Sequence, residues 1–157
     1  MLSKRPGLLF LQCRSGASRF SGRPVGHGNC SLADMIRDFR KLKVFQEADA
    51  LVLAVYKATM GLPTEERYGL QIQIHRAAVS AACNIVEGTA RPKPVEYCRF
   101  FHIARASARE TGYLIDLSSR LGLLPFTAAQ RLSRRYDGLQ AGLLRLTGTI
   151  EAENRDQ

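Results

Sequence analysis

Tyr68-Gly-Leu-Gln-Ile-Gln-Ile-His-Arg-Ala-Ala-Val-Ser-Ala-Ala-Cys-Asn-Ile-Val-Glu-Gly-Thr-Ala-Arg91 is the stretch that decides the fold. Its apolar residues recur at helical spacing. Leu70, Ile74, Ala77, Ala81 and Ile85 make one face, and Ile72, Val79, Ala82 and Val86 a second. A helix apolar on two sides has to be covered on two sides. Alanines at 77, 78, 81 and 82 admit a neighbouring helix at short range. Between the faces runs a polar seam of Gln73, Arg76, Ser80, Asn84 and Glu87.

The flanking sequence supplies the partners. Upstream, from Arg37 to Thr59, one apolar stripe runs Phe39, Leu42, Phe45, Ala48, Val52, Val55. Val44, Leu51, Ala54 and Ala58 widen it. Gly61-Leu-Pro63 stops that helix, because proline cannot continue the ladder and glycine accepts the left-handed C-terminal conformation. Thr64 is then the expected cap of helix two, with Glu65 and Glu66 at the positive end of its dipole. Downstream, Gly88, Pro92 and Pro94 close helix two, and proline suits the first turn of a third helix from about Pro94 to Leu121. Its core stripe is Tyr97, Phe100/Phe101, Ala104, Ala108, Thr111, Leu114/Ile115 and Ser118. Its outer stripe is Arg99, His102, Arg109, Asp116 and Arg120, with Arg105 alongside. Gly122-Leu-Leu-Pro125 ends it, and Thr127-Ala-Ala-Gln130 reads as a capping box for helix four. There Leu132, Tyr136, Leu139, Leu143, Leu146 and Ile150 form a narrow seam. The last residues are polar and expected to fray. No alternating strand pattern or solenoid repeat occurs. Short loops between long helices force antiparallel neighbours. The fold class is all-α, an up-down-up-down four-helix bundle over residues 35–153.

Residues 1–34 read differently. They are rich in Gly, Ser, Arg and Pro without sustained periodicity, and residues 1–33 carry five basic side chains and no acid. Leu8-Leu-Phe-Leu11 is too short for a secretory signal. A start of translation at Met35 is the favoured reading, on the resemblance of Met-Ile-Arg-Asp-Phe-Arg-Lys-Leu-Lys-Val-Phe45 to the first helix of the family named below. A transit peptide comes next, and a disordered basic arm on nucleic acid third.

Formal charge is +9, with arginine outnumbering lysine 18 to 5. Arginine forks suit phosphate, and codon bias in a GC-rich genome explains the same ratio. Both readings stay open at this point. Cys13, Cys30, Cys83 and Cys98 show no metal or redox spacing. Cys83 and Cys98 fall in helical patterns, where free cysteine behaves as a small buried hydrophobe. A reducing, cytoplasmic compartment fits, and no run approaches the ~18 apolar residues of a membrane span.

Tyr68-Gly-Leu70, Arg76-Ala-Ala78, Asn84-Ile-Val-Glu-Gly88 with Arg91, Phe100-Phe-His-Ile-Ala104, Ser107 with Glu110, and Leu121-Gly-Leu123 together resemble one family. It is that of the bacterial four-helix-bundle proteins encoded in ribosomal-RNA intervening sequences. Its relatives include the accessory variability proteins of diversity-generating retroelements. The resemblance runs from about Met35 to about Ile150. Phe45 departs from it where relatives commonly carry tryptophan, and Ala106-Ser-Ala108 departs where Gly-Ser is frequent. Both are packing changes. The resemblance implies a homo-oligomeric ring, typically a pentamer. In the retroelement branch it implies a reverse transcriptase partner and nucleic-acid binding.

The residues themselves declare no reaction. A bundle di-iron site needs Glu-x-x-His pairs, but Ile72 precedes His75 by three and Arg99 precedes His102 by three. His75 therefore reads as a packing or interface histidine, and no metal or cofactor is expected. Glu87 and Glu110 have no nucleophile or oxyanion donor beside them. Glu87 has a ready partner in Arg91, one turn on, so Arg76, Asn84 and Glu87 read as a structural polar seam. No P-loop spacing exists. What remains is a basic patch. Residues 91–135 hold nine basic and three acidic side chains. Arg120, Arg131, Arg134 and Arg135 are expected to meet near the third turn, Arg91 and Lys93 at the opposite end, with Arg99, Arg105 and Arg109 between. Such a patch binds phosphate backbone without sequence preference, or it is a solvated face paired with Glu96, Glu110 and Asp116. The expected function is a non-enzymatic oligomer that binds RNA or DNA, or a nucleic-acid-processing partner such as a reverse transcriptase. The alternative is a structural oligomer or protein adaptor.

Overall fold

The computed structural model describes residues 38–155. Met35, Arg37 and the whole of residues 1–34 lie outside the described residues. Four helices follow one another: α1 Lys43–Thr59, α2 Leu70–Thr89, α3 Pro94–Arg120 and α4 Phe126–Arg155. Two single 3-10 turns, Phe39–Lys41 and Thr64–Glu66, precede α1 and α2. Among the described residues there is no strand.

The helix starts differ from the sequence expectation, each for a local reason. Leu42 is extended, with φ −74° and ψ 120°, so α1 begins at Lys43 and the Asp38 side chain caps the preceding 3-10 turn through Arg40 N. Thr64 does not cap α2. After Pro63 the chain closes a 3-10 turn and reverses at Gly69 before the helix begins. Glu66 takes the capping role, its Oε2 accepting from Leu70 N at 3.1 Å. A Cβ at position 69 would sit 3.0 Å from that oxygen, so glycine leaves room for the cap. Thr127 lies inside α4 and does not start it. Pro125 O accepts from Ala128 N and Ala129 N, both at 3.0 Å, which opens the ladder earlier. At the other end α4 runs on to Arg155, past the expected fraying point.

The α3–α4 turn is a Schellman stop. Gly122 has φ +73°, Leu123 N donates to Ser118 O at 2.9 Å and Gly122 N to Ser119 O at 3.0 Å. These bonds satisfy carbonyls the helix end leaves free, and only glycine adopts that φ without strain.

Each helix packs on two others: α1 on α2 and α4, α3 on α2 and α4. Leu51, Val55, Ile74, Ile85, Phe101, Ile115, Tyr136, Leu139 and Leu143 are all but fully buried between them. Full burial of an aliphatic or phenyl side chain of this size stabilises by about 1.5–3 kcal/mol. The alanines of α2 do what their size allows: Ala77, Ala78 and Ala81 are buried, and at the end of that face a Cβ on Gly88 would come within 2.9 Å of Phe101 Cε1.

The second apolar face of α2 stays partly open. Ile72 is 38% exposed, and Val79, Ala82 and Val86 are half-buried. Cys83 lies exposed on the same side, against the expectation of a buried hydrophobe, whereas Cys98 is buried as expected. No helix among the described residues is long and apolar enough to cross a membrane.

Candidate nucleic-acid interface

The structure divides the expected basic patch into separate places. Arg131 and Arg135, one turn apart on α4, line an open groove against α1. The opposite wall carries Lys57, from the last turn of α1. Ala54, Ala58 and Ala128 keep the floor low. Arg135 Nε donates to Glu47 Oε1 at 2.8 Å, tying α4 to α1. Lys57 and Arg131 are exposed, and neither forms an ion pair with a described residue. Arg134 is exposed beside this groove but does not line it.

On the other flank of α4, Arg105 and Arg109 of α3 line a second groove with Gln140 and Leu144 of α4. His102 stands at its end, 3.4 Å from Glu151. Beyond His102 the surface turns apolar, with Val95, Ile103 and Cys98 beside Arg99. Burial, helped by the Glu151 charge, pushes the Cys98 thiol up, and the group lies 3.9 Å from Thr147 O. A thiol held protonated is a weak nucleophile.

The remaining predicted cations are spent or isolated. Arg91 pairs with Glu87 and lies over the Phe100 ring, 4.6 Å from its centroid. These contacts tie it to the α2–α3 corner. Lys93 is exposed just before α3. Arg120 is engaged by Asp116 at 2.9 Å.

Within the seam expected from sequence, Ser80 bonds to Asn84 and to α3. Asn84 Nδ2 donates to Ser80 O at 2.8 Å and lies 3.1 Å from Ser80 Oγ, which faces Ser107 Oγ across the α2–α3 interface at 3.0 Å. Arg76 lines a shallow depression with Ser80 and Glu110. Glu110 sits there at mid-helix while Glu87 is held at the α2 terminus by Arg91, so the two carboxylates do not converge. Among the described residues no group of three or more His, Cys, Asp or Glu is placed to hold a metal ion.

Sequence reasoning missed Lys57 and Gln140. No local pattern marks them, because each acquires its meaning from a residue on another helix. The available signal was topological: closing the bundle puts the end of α1 beside the start of α4.

Comparison with known proteins gives one family and one fold. The family model described as 23S rRNA-intervening sequence protein matches residues 40–145. No curated protein matches the chain. A crystal structure from Bacteroides thetaiotaomicron, described as a protein with unknown function from the S23 ribosomal protein family, superposes with a TM-score of 0.60 at 18% identity. The alignment covers 66% of this chain and 97% of that one. At that identity it speaks for the fold alone.

Proposed function

We propose, from the premise that this chain belongs to the family of 23S rRNA-intervening sequence proteins, that it is a non-enzymatic oligomeric bundle that binds nucleic-acid backbone. It works alone or beside a nucleic-acid-processing partner such as a reverse transcriptase. The observation that carries this reading is the groove with Lys57 and Arg131 exposed and Arg135 on its wall. Exposed cations over a low alanine floor attract phosphate, release its counterions and read no base. The compartment is cytoplasmic in this reading, and the retroelement accessory proteins are its distant kin.

The proposal includes an up-down-up-down helix order. Pairs such as Ser80 with Ser107 and Gly88 with Phe101 support it for α2 and α3. Glu47 with Arg135 and Val44 with Gly142 support it for α4 and α1. It also includes a ring of identical chains, with five favoured by the family resemblance. Leu53, Met60 and Tyr68, exposed by 58%, 80% and 82%, give the α1–α2 end an apolar surface that a neighbouring chain would cover.

That same apolar end favours a second reading, a protein adaptor without a nucleic-acid role. Lys57→Glu/Arg131→Glu/Arg134→Glu separates the two. Arg135 is kept, because reversing it would set a carboxylate against Glu47. Fluorescence anisotropy with a labelled RNA or DNA of arbitrary sequence should show salt-sensitive binding that the triple variant loses while its circular dichroism and melting stay unchanged. Absence of binding at about 50 mM salt, or indifference to the reversal, selects the adaptor.

A further inference from the structure

The α3–α4 side of the bundle carries two adjoining hollows. Arg105, Arg109 and Leu144 line the first. Val95, Arg99 and Ile103 line the second, and His102 and Ala106 belong to both. From Val95 to Arg109 the pair follows α3 for about 21 Å at the helical rise. Apolar surface lies open along it: Val95 is 68% exposed, Ile103 40% and Leu144 54%. Ala106 and Ala141, both exposed, keep the walls low. A Cβ on Gly148, one turn past Leu144, would meet nothing within 4 Å. The charge along the hollows is positive. Arg99, Arg105 and Arg109 form no ion pair with a described residue. The acids nearby have other partners. Glu151 is held by His102 at 3.4 Å, Asp137 accepts from Gln140 Nε2 at 3.5 Å, and Glu110 lies in the depression of Arg76 on the α2 side.

We propose that these hollows dock an acidic amphipathic helix of a partner protein, its apolar stripe on Val95, Ile103 and Leu144 and its carboxylates on Arg105 and Arg109. The site is separate from the groove of Lys57 and Arg131, and the inference does not depend on that groove binding nucleic acid. About 21 Å accommodates four turns of a helix. A helix laid in a groove offers apolar anchors at every third or fourth residue, and small side chains beneath it permit close approach. Glutamates flanking such a stripe come within reach of arginine forks, which bind carboxylates in pairs of hydrogen bonds.

Charge and apolarity together select this occupant. A nucleic-acid backbone supplies anions but nothing to cover Val95, Ile103 and Leu144. Unpaired bases stack on aromatic rings, and no Phe, Tyr or Trp lines either hollow. The chain's own residues 1–33 bring five basic side chains and no acid, so they would set like charges against Arg99, Arg105 and Arg109. A partner helix with glutamates beside an apolar stripe matches both features.

The test uses the full chain and two labelled peptides of roughly 15–18 residues. One places leucines on a single helical face with glutamates beside them; the other has the same composition scrambled, so that charge is kept and the face is lost. At about 0.15 M salt, where charges farther apart than roughly 8 Å are screened, fluorescence anisotropy should show the patterned peptide binding at least about tenfold tighter, as burial of two or more methylenes predicts. Arg105→Gln/Arg109→Gln should weaken it and flatten its salt dependence. Leu144→Ser should weaken it with the salt dependence and the melting temperature unchanged. Lys57→Gln/Arg131→Gln should leave it unchanged, which keeps this test apart from that of the nucleic-acid groove. Absence of binding, equal affinity for the two peptides, or indifference to Leu144→Ser and the arginine pair overturns the inference. So does a smaller oligomer for Leu144→Ser in light scattering, because a second copy would then cover the hollows.

Discussion

His75 lies flat on Tyr56, ring centroids 3.8 Å apart and planes 10° from parallel. Its Nε2 is 2.7 Å from Thr59 Oγ1. The Thr59 hydroxyl has one proton and a carbonyl to give it to, Val55 O at 2.9 Å, so the imidazole Nε2 is the donor. Burial lowers the His75 pKa, which keeps the ring neutral near pH 7.

The linked prediction concerns pH. A histidine with a lowered folded pKa binds fewer protons folded than unfolded. Stability is then complete above the unfolded value of about 6.5 and falls as pH drops through it towards the folded pKa. Thermal melts between pH 7.5 and pH 5 should show this loss, and His75→Gln should flatten it. A histidine-independent profile would remove the assignment.

Gly88→Ala should destabilise by about 1–3 kcal/mol. Its Cβ would meet Phe101 Cε1 at 2.9 Å, on a ring buried in the core, and Phe100 Cβ at 3.1 Å, fixed to the α3 backbone. Gly148→Ala is the control. Nothing lies within 4 Å of its Cβ, so helix propensity should raise stability by about 0.5–1 kcal/mol. Opposite shifts in chemical denaturation would confirm the pair.

Tyr136 is 1% exposed, and its hydroxyl has no hydrogen-bond partner among the described residues. The Thr111 hydroxyl, which donates to Ser107 O at 2.8 Å, lies near the phenol without coming within hydrogen-bond range of it. A buried hydroxyl left unpaired costs about 1–3 kcal/mol. Tyr136→Phe should therefore be neutral or stabilising in urea titration, and a marked loss would mean that the phenol is hydrogen-bonded in solution.

Glu47→Gln should separate stability from binding. The Glu47–Arg135 pair is more than a third exposed, and such pairs contribute about 0–1 kcal/mol. Its removal should hardly move the melting temperature. It frees a third cation in the α1–α4 groove, so RNA affinity at low salt should rise and the salt slope should steepen by about one contact. Unchanged binding would take Arg135 out of the interface.

Assembly is checked by mass. Multi-angle light scattering at micromolar concentration should show an oligomer, because Met60 and Tyr68 leave large apolar side chains in solvent on one chain. Met60→Glu/Tyr68→Glu should shift it towards smaller species. A monomeric wild type would end the ring proposal.

The bundle was legible because its four apolar stripes obey one period and its breaks carry proline or glycine. The helix starts at Leu70 and Phe126 were not, since a side-chain cap from Glu66 and a backbone cap from Pro125 leave the same local composition as the Thr64 and Thr127 alternatives. Cys83 was misplaced because periodicity puts it near an apolar face without saying whether that face has a neighbour. Within the candidate site, Arg131 and Arg135 could be read from one helix. Lys57 could not, and neither could the stacking of Arg91 on Phe100, which comes from another helix.

The hydroxyl pair of Ser80 and Ser107 acts as a detent. An interface floored with alanine is smooth, and smooth helices slide. Displaced by one turn, about 5.4 Å, the two hydroxyls would part, forgoing a bond worth about 0.5–1.5 kcal/mol. Two atoms 3.0 Å apart thus give α2 and α3 a single seat, and that seat carries through to Arg105 and Arg109, which ride on the same helix as Ser107.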